Sequence, residues 1–430
     1  MPKDMAQNTT IFTRRESEAR SYCRGMNAVF TRASGSEMFD GEGNRYIDFL
    51  AGCSSLNYGH NDPDMKAALV EHITNDGIAH GLDFHSDTKA AFLNAYEENI
   101  LKPRGMDYKV MMTGPTGTNA VEAAIKLARK VTGRTNVISF TNGFHGMTMG
   151  ALALTGNKGK RGGAGGGSLA DVTHMPFEGS LGENVDTLEM IDAMLSNPSS
   201  GIDAPAAFIF EPIQGEGGLN AASDAWMQGI EKIARKLGAL LIVDDIQAGC
   251  GRSGSFFSFE ASGIKPDMVT QAKSLSGFGL PFAALLIAPE HDIWKPAEHN
   301  GTFRGNTHAF VTARVAIEKF WSDDKFEKSL AEKAVVLTTA LKDVADLVEG
   351  ATLKGRGLMQ GVDVGSGELA GAICARAYEL GLVIETSGAN DEIVKYLAPL
   401  TTPEKVMREG FDILLQATRD VTGNMKLAAE

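Results

Sequence analysis

The chain has 430 residues, of which 43% are hydrophobic and 22% charged, and its formal net charge is −13. This length allows more than one hydrophobic core, and the acidic balance disfavours non-specific binding to nucleic acid or to an anionic membrane. No run of 18 apolar residues predicts a transmembrane helix, and the polar N-terminus lacks the apolar core of a signal peptide. The four cysteines show neither disulfide-framework nor metal-ligand spacing, so we expect a cytoplasmic protein without a metal site.

The first recognisable element is the segment MFDGEGNRYIDFLAG (38–52), which is typical of a β-hairpin with DGEGN as its turn. From about residue 107, short apolar runs alternate with amphipathic stretches. KVMMTG (109–114) predicts a strand, and NAVEAAIKLARKV (119–131) predicts a helix. Asn119 and Glu122 have the three-residue spacing of a capping box at the start of that helix.

Further strands are predicted by five apolar runs in the middle of the chain, which are NVISF, AAFIFEP, LLIVDD, DMVTQAK and FAALLIA. Each run is short and continuously apolar, as expected of strands buried on both faces of a mainly parallel sheet. The centre of the chain therefore predicts one large α/β domain.

The pattern changes after Gly305, where a long helical region begins. It is followed by the runs GLMQGVDVG, GLVIETSG and IVKYLAPL, which together suggest a small α/β unit. One stretch has low complexity, RGGAGGGS (161–168). Its glycines predict a flexible surface loop or a mobile lid over a site.

Several loops that follow the predicted strands carry reactive or polar groups. In TGPTGTNAVEAA (113–124), free amides at a helix start would suit a phosphate, although an ordinary tight turn explains the same pattern. Asp244 ends an apolar strand, and Gln247 follows it by three residues. Open α/β sheets place ligand-facing groups at such strand ends, but a solvated strand end is the alternative interpretation.

Other strand-end loops contain Glu211 and Glu216, Phe144 and His145, and Lys273. Each residue alone has an ordinary explanation, because a lone lysine is usually solvated and a lone aromatic residue or histidine is usually packed. Together with the phosphate-type loop they match the needs of pyridoxal 5′-phosphate. That cofactor requires a phosphate cradle, an aromatic face, a carboxylate for the ring nitrogen and a lysine for a covalent bond.

The order of these motifs resembles that of the class III (ω-amino acid) aminotransferases of PLP fold type I over nearly the whole chain. The motifs are TGTNAVEAAIKLAR, FHGMT, EPIQGEGG, VDDIQAGCGRSG, Lys273 and GTFRGN. The resemblance implies an α/β fold, with a mainly parallel seven-stranded sheet in a large domain and a small α/β domain built from both termini. We expect the N-terminal part of the small domain at 1–60, the large domain at 61–308 and the C-terminal part at 309–430.

The resemblance also implies roles for individual residues. Lys273 matches the lysine that bonds the cofactor and shuttles a proton, and Asp244 matches the partner of the ring nitrogen. The other predicted cofactor contacts are Gln247 near the phenolic oxygen, Ile246 on the apolar back face, Phe144 stacked on the ring, His145 beside it, and Glu211 in the pocket wall.

The phosphate is expected to lie against Gly117 and Thr118. Thr302 resembles the threonine that a neighbouring subunit supplies to the same phosphate. This match implies a homodimer, or a dimer of dimers, with shared active sites.

The substrate class follows from a finer match, because AGCSSLNYGHNDPDMK, LKPRGMDYKV and KSLSGFGLPFA resemble the diaminobutyrate–2-oxoglutarate aminotransferases of ectoine or siderophore pathways. That group exchanges amino groups between glutamate and aspartate 4-semialdehyde. The predicted substrate residues are Glu216, Lys395 and Arg304. Lys395 stands where many relatives carry a carboxylate-binding arginine, and it lacks the planar fork for bidentate pairing. Arg304 is a second candidate for 2-oxoglutarate, with a surface or interface ion pair as the alternative.

Three other functions stay open at this point. Another ω-amine, such as ornithine, 4-aminobutyrate or β-alanine, is an alternative substrate, and some class III relatives decarboxylate or isomerise instead. A non-catalytic protein that retained the fold is a second alternative, against which Lys273, Asp244 and Gln247 argue. An NAD-dependent oxidoreductase is disfavoured, because the GxGxxG fingerprint is missing.

Overall fold

The computed structural model describes residues 9–182 and 184–429, with side chains described as far as residue 423. Residues 1–8 and 430, which form the two ends of the predicted small domain, lie outside the described residues. The helices are α1 (Thr10–Arg15), α2 (Ala51–Ser54), α3 (Pro63–Thr74), α4 (Asp87–Tyr96), α5 (Gly117–Thr132), α6 (Met149–Leu154), α7 (Lys158–Gly162), α8 (Thr187–Ser196), α9 (Asp224–Leu237), α10 (Thr307–Phe320), α11 (Lys325–Ala345), α12 (Gly367–Glu379) and α13 (Glu404–Ala429).

The strands belong to one large sheet and three smaller ones. They are β1 (Phe30–Ser34), β2 (Glu37–Asp40), β3 (Arg45–Asp48), β4 (Lys109–Met112), β5 (Val137–Phe140), β6 (Val172–Met175), β7 (Ala207–Phe210), β8 (Ile213–Gln214), β9 (Asn220–Ala221), β10 (Leu240–Asp244), β11 (Met268–Gln271), β12 (Ala284–Ile287), β13 (Thr352–Arg356), β14 (Met359–Asp363), β15 (Leu382–Val383), β16 (Glu385–Ser387) and β17 (Ile393–Tyr396).

The large sheet has seven strands in the order β4-β12-β11-β10-β7-β5-β6. Strand β12 runs antiparallel to both of its neighbours, and the other pairs are parallel. The prediction of a mainly parallel seven-stranded sheet is therefore confirmed. The strands β5, β7, β10, β11 and β12 are buried at every position, which explains their continuously apolar sequences.

Helices cover both faces of this sheet. On one face, α5 packs its small side chains Ala120, Ala123, Ala124 and Ala128 into the core, so its backbone lies close to the strands. Strand β6 is the one strand of the large sheet that the sequence pattern missed. It reads VTHM and is mostly half-buried because it lies at the sheet edge.

Strands from both ends of the chain share one of the small sheets, which has the order β1-β2-β3-β15. The predicted hairpin is confirmed as β2 and β3, and β15 pairs parallel to β3. A second four-stranded sheet, β13-β14-β17-β16, lies entirely in the C-terminal region and sets Glu385 directly opposite Lys395. The domain boundaries proposed above stay predictions.

The predicted cap of helix α5 was wrong by one turn. The helix begins at Gly117, and the side chain of Asn119 accepts hydrogen bonds from the backbone N–H (3.3 Å) and the hydroxyl (2.8 Å) of Thr116. Glu122 instead accepts a hydrogen bond from the backbone N–H of Ala151 at 3.0 Å. Thr116 is therefore the N-cap residue, and Asn119 is the N3 residue of the capping box rather than its N-cap.

Two further observations concern segments outside the sheets. Residues 158–162 form the short helix α7, and the glycines after it lie in an exposed turn, so the lid role stays a prediction. Of the helices in the described part of the chain, none has the length and apolar character needed to cross a membrane.

Candidate active site

Five loops meet at the edge of the large sheet where its parallel strands end. They follow β4, β5, β7, β10 and β11, and they enclose a cavity of about 510 Å³. Ten of the residues predicted from sequence line this cavity, and they are Gly117, Thr118, Phe144, His145, Glu211, Glu216, Asp244, Ile246, Gln247 and Lys273.

Lys273 begins the turn that follows strand β11. Its φ is +50°, a left-handed conformation that side chains other than glycine seldom adopt. The next residue anchors this turn, because Ser274 Oγ donates a hydrogen bond to the carbonyl of Ser54 at 2.7 Å. Burial lowers the pKa of the Lys273 amine, although the charge of Glu216 works in the opposite direction. The amine is thus held closer to its neutral, nucleophilic form.

Asp244 ends strand β10 and is almost fully buried. One carboxylate oxygen lies 2.7 Å from Nδ1 of His145, and the other accepts hydrogen bonds from Thr270 Oγ1 (3.0 Å) and from the backbone of Ile246 (3.2 Å). Burial opposes protonation of His145, but the hydrogen bond to Asp244 and its charge outweigh burial and raise the pKa of the histidine. These three contacts hold the Asp244 carboxylate in place at the end of β10.

The aromatic residue Phe144 is positioned by a neighbouring carboxyl group. Its backbone N–H donates to Glu211 Oε2 at 2.8 Å, and the N–H of Gly215 donates to the other oxygen at 3.3 Å. Burial raises the pKa of Glu211 to about 7, although the charge of His145 opposes this shift. Glu211 therefore connects the loops after β5 and β7 and fixes the backbone at Phe144.

The start of helix α5 forms the opposite end of the cavity. The first N–H groups of a helix have no intrahelical partner, and here they belong to Gly117 and Thr118. A Cβ atom on Gly117 would lie 2.8 Å from Cδ1 of Ile246, so a side chain at this position would fill the cavity. The hydroxyl of Thr118 lies 2.7 Å from that of Thr148.

A second group of charges, here called the lysine–carboxylate cluster, consists of Lys395, Glu216 and Glu385. The Lys395 side chain is fully buried, and its Nζ lies 3.0 Å from Glu216 Oε1 and 2.9 Å from Glu385 Oε1. Gln247 Nε2 also donates to Glu216 Oε1, at 3.1 Å. Burial would raise the pKa of Glu216, but Lys395 and Lys273 outweigh it and lower that pKa to about 2.

Glu385 was not predicted as a site residue, and neither was its partner Tyr22. The Tyr22 hydroxyl donates to Glu385 Oε2 at 3.1 Å and lies 2.7 Å from Cys53 Sγ. Both residues line a cavity of about 290 Å³, and Glu216 borders this cavity as well as the larger one. Cys53 lies in α2 (Ala51–Ser54), which is a single left-handed turn because every one of its residues has a positive φ. No local sequence motif marks Tyr22 or Glu385. The sequence around Glu385 is explained by its place in strand β16 alone.

Two predicted residues lie away from the cavity of their own chain. Thr302 is exposed, in the turn that precedes α10. Arg304 donates from Nε to Asp83 at 2.6 Å and from Nη1 to the carbonyl of His299 at 2.8 Å. Its guanidinium therefore forms a surface ion pair in this chain. The roles of Thr302 at the phosphate and of Arg304 at the substrate stay predictions.

The lining residues can be tested against the shape and chemistry of pyridoxal phosphate. The α5 start offers free N–H groups at a position where a Cβ would fill the space, which suits a phosphate. The buried Asp244 carboxylate suits a ring nitrogen, and Lys273 has a lowered pKa, as a lysine that attacks an aldehyde requires. The buried Gln247 Oε1 has no hydrogen-bond partner among the described residues, so it can accept a hydrogen bond from a bound ligand. The site fits the cofactor.

Comparison with known proteins agrees with this assessment. The family model described as aminotransferase class-III matches residues 19–418. A relative from Halomonas elongata, called diaminobutyrate–2-oxoglutarate transaminase, is 53% identical over 96% of this chain and 99% of its own length. A relative of the same name from Vibrio cholerae is 53% identical over 94% of this chain and 98% of its own length.

Solved structures agree at the level of the fold and the cofactor. The ornithine aminotransferase of Toxoplasma gondii, described with PLP at its active site, has a TM-score of 0.81 and 25% identity. The alignment covers 99% of this chain and 96% of that one. Class III aminotransferases use pyridoxal phosphate, so the cofactor predicted from the strand-end loops is confirmed. Since the family model spans nearly the whole sequence, this chain belongs to the class III aminotransferases.

Proposed function

We propose that this enzyme transfers an amino group between L-glutamate and L-aspartate 4-semialdehyde, giving 2-oxoglutarate and L-2,4-diaminobutyrate. The observation that carries this proposal is the 53% identity, over 96% of the chain, to a relative named for diaminobutyrate and 2-oxoglutarate. The pathway that uses the product, ectoine or siderophore synthesis, stays a prediction.

The residues of the cavity divide the chemical work. Bound pyridoxal phosphate supplies an aldehyde carbon that receives the amino group and a ring that withdraws electrons from the reacting carbon. Lys273 holds the cofactor covalently at rest and moves the proton at its Nζ during transfer. Asp244, supported by the 2.7 Å contact with His145, keeps a proton on the ring nitrogen. The N–H groups of Gly117 and Thr118 bind the phosphate.

The lysine–carboxylate cluster forms the substrate side of the site. The Lys395 ammonium has three N–H donors and lies within 3.0 Å of two carboxylates, Glu216 and Glu385. Lys395 is fully buried and lines neither cavity, so it would act on the carboxylate that diaminobutyrate, glutamate and 2-oxoglutarate all carry through its positive charge and by holding Glu216, not by direct contact.

We further propose that the enzyme is a homodimer in which Thr302 reaches the phosphate of the partner subunit. Large apolar side chains are exposed, with Phe84 at 71%, Phe303 beside Thr302 at 67%, and Met147 in the cavity lining at 52% of their surface. An exposed apolar surface of this kind supports burial against a second subunit. Light scattering gives the mass of the assembly, and Thr302→Ala would weaken cofactor binding without changing that mass.

Product analysis tests the proposed reaction. The holoenzyme is incubated with ¹⁵N-glutamate and L-aspartate 4-semialdehyde, and amino acids are identified by mass spectrometry. We expect ¹⁵N at the 4-position of diaminobutyrate. Labelled ornithine, 4-aminobutyrate or β-alanine, formed from their own aldehydes at higher kcat/KM, would reassign the substrate and leave the family intact. A protein that binds the cofactor but transfers no label to any aldehyde would overturn the catalytic assignment.

A further inference from the structure

The lysine–carboxylate cluster carries more negative than positive charge. One ammonium, Lys395, is shared by the carboxylates of Glu216 and Glu385, so the three groups together have a net charge of −1. Glu385 is 8% exposed and Lys395 is fully buried. Uncompensated charge is costly to bury, so a site of this kind favours a cationic ligand.

The two carboxylates differ in how completely their oxygens are bonded. Glu216 Oε1 accepts well-aligned hydrogen bonds from Lys395 (3.0 Å) and Gln247 (3.1 Å). Glu385 Oε1 lies 2.9 Å from Lys395 but forms no well-aligned hydrogen bond with any described residue. Glu385 is thus the carboxylate whose buried oxygen lacks a well-aligned donor, so it is the one that a donor on a ligand can satisfy.

Diaminobutyrate and glutamate differ in the charged groups that they carry besides the reacting amine. Each has one reacting amine and at least one carboxylate, but only diaminobutyrate keeps a second ammonium group while its reacting amine is at the cofactor. Glutamate and 2-oxoglutarate bring a second carboxylate instead. A buried carboxylate in the cavity that adjoins the cofactor site attracts the former and repels the latter.

We propose that Glu385 is a specificity residue, which binds the non-reacting ammonium group of the diamino substrate while Tyr22 orients its carboxylate. The Tyr22 hydroxyl donates to Glu385 Oε2 at 3.1 Å, which leaves Oε1 to accept from the ligand. Glu385 and Glu216 border the same 290 Å³ cavity, and Glu216 also borders the cavity that contains Lys273. This inference rests on the proposed function, since it requires a diamino substrate.

The test compares the two half-reactions of Glu385→Gln in single-turnover absorbance measurements on the holoenzyme. Loss of a charged hydrogen bond should lower kcat/KM for L-2,4-diaminobutyrate roughly 10- to 100-fold. The half-reaction with glutamate should be unchanged or faster, because a negative charge near its second carboxylate is removed. If Glu385 only positioned Lys395, Glu385→Gln would slow both half-reactions together. A loss with diaminobutyrate but not with glutamate therefore indicates a specificity role.

Two comparisons sharpen the test. Glu368→Gln makes the same change at an exposed glutamate and should leave both half-reactions at wild-type rates. The probe 4-aminobutyrate has the reacting amine and the carboxylate of diaminobutyrate but lacks its second ammonium. The preference of the wild type for diaminobutyrate over 4-aminobutyrate should shrink in Glu385→Gln by the same factor of roughly 10 to 100.

Tyr22→Phe provides a second variant that keeps the buried charge. It should change the diaminobutyrate half-reaction in the same direction by a smaller factor. An equal loss in both half-reactions of Glu385→Gln, or no loss in either, would overturn the role of Glu385. If the wild type itself does not react with diaminobutyrate, the proposed function is wrong. That result differs from a wild type that reacts and a Glu385→Gln variant that behaves in the same way, which overturns the role of Glu385 alone.

Discussion

The two sides of the active site are built in different ways. The cofactor side lies where strands of a single sheet end, since Asp244 is the last residue of a buried strand and Lys273 and Phe144 follow buried strands within four residues. The substrate side gathers Tyr22, Glu216, Glu385 and Lys395 from distant parts of the chain. One side is set by the topology of a single sheet, and the other by contacts between a small C-terminal sheet, the loop between β8 and β9, and an N-terminal segment outside the sheets.

This difference separates the residues proposed to act on every substrate from those proposed to distinguish one substrate from another. In the proposed mechanism every substrate uses the cofactor side, whose residues hold one group in one orientation. The substrate side must accept both a diamine and a dicarboxylate, and it contains a cation between two anions. Substitutions on the cofactor side should therefore abolish both half-reactions, whereas substitutions on the substrate side should change their ratio.

The largest effect is expected for Lys273→Ala. Loss of the covalent attachment and of the proton-transfer amine should lower kcat by about 10³-fold or more in both half-reactions. Turnover is measured with glutamate as donor, and folding by circular dichroism. Lys328→Ala, at an exposed lysine of α11, serves as the control and should retain wild-type turnover. Substantial activity in Lys273→Ala would remove this lysine from its proposed role.

Adjacent aspartates provide the next test. Asp244→Asn should lower kcat roughly 10²- to 10⁴-fold, because a neutral amide no longer keeps the ring nitrogen protonated. Asp245 lies outside the cavity lining, and its Oδ1 accepts a hydrogen bond from the Ser258 N–H at 3.2 Å. Burial raises the pKa of Asp245 well above its usual range, and the side chain does not line the cavity, so Asp245→Asn should retain activity. Equal rates in the two variants would contradict the assignment of Asp244.

On the substrate side, Lys395→Met should mainly reduce stability. Removing the ammonium leaves Glu216 and Glu385 facing each other without a counter-ion, which costs about 3–5 kcal/mol for a buried pair. Urea unfolding measures this loss. Glu385→Gln in the same chain should restore part of it, with a coupling of roughly 1–3 kcal/mol. Additive losses in the double variant would mean that the two groups do not interact.

The smallest effect concerns acid stability. The folded-state pKa of Glu216 is lowered to about 2 from an ordinary 4.5, so its ion pair stabilises the fold above pH 4.5. That contribution should disappear as the pH falls from 4.5 towards 2. Over this range, the free energy of unfolding of Glu216→Gln should depend less steeply on pH than that of the wild type. The difference in slope should correspond to the uptake of at most about one proton on unfolding. Parallel pH profiles would place the Glu216 pKa near its ordinary value.

Ten of the residues predicted from sequence line one cavity for a physical reason. Buried parallel strands have continuously apolar sequences, so the positions where they end, and hence Asp244 and Lys273, are visible in the chain. Edge strand β6 was missed because its VTHM sequence is only partly buried. The cap of α5 was misplaced by one turn because Asn119 suits the third cap position as well as the first.

The substrate side was only partly predictable. Lys395 and Glu216 stood out through the family resemblance, but Glu385 and Tyr22 did not. Their juxtaposition depends on the register of β16 against β17, where Glu385 faces Lys395, and on an N-terminal segment that reaches across to Glu385. Such pairings between distant segments leave no periodic signal in a single sequence.

The most direct test of the central claim is a visible absorbance titration of the wild-type holoenzyme, first with L-2,4-diaminobutyrate and then with 2-oxoglutarate. We predict that the absorbance band of the lysine-bound cofactor disappears with the diamine and returns with the oxo acid. Both half-reactions would then occur at the one site that Lys273 and the lysine–carboxylate cluster share. A band that responds to glutamate but is indifferent to diaminobutyrate would contradict the account.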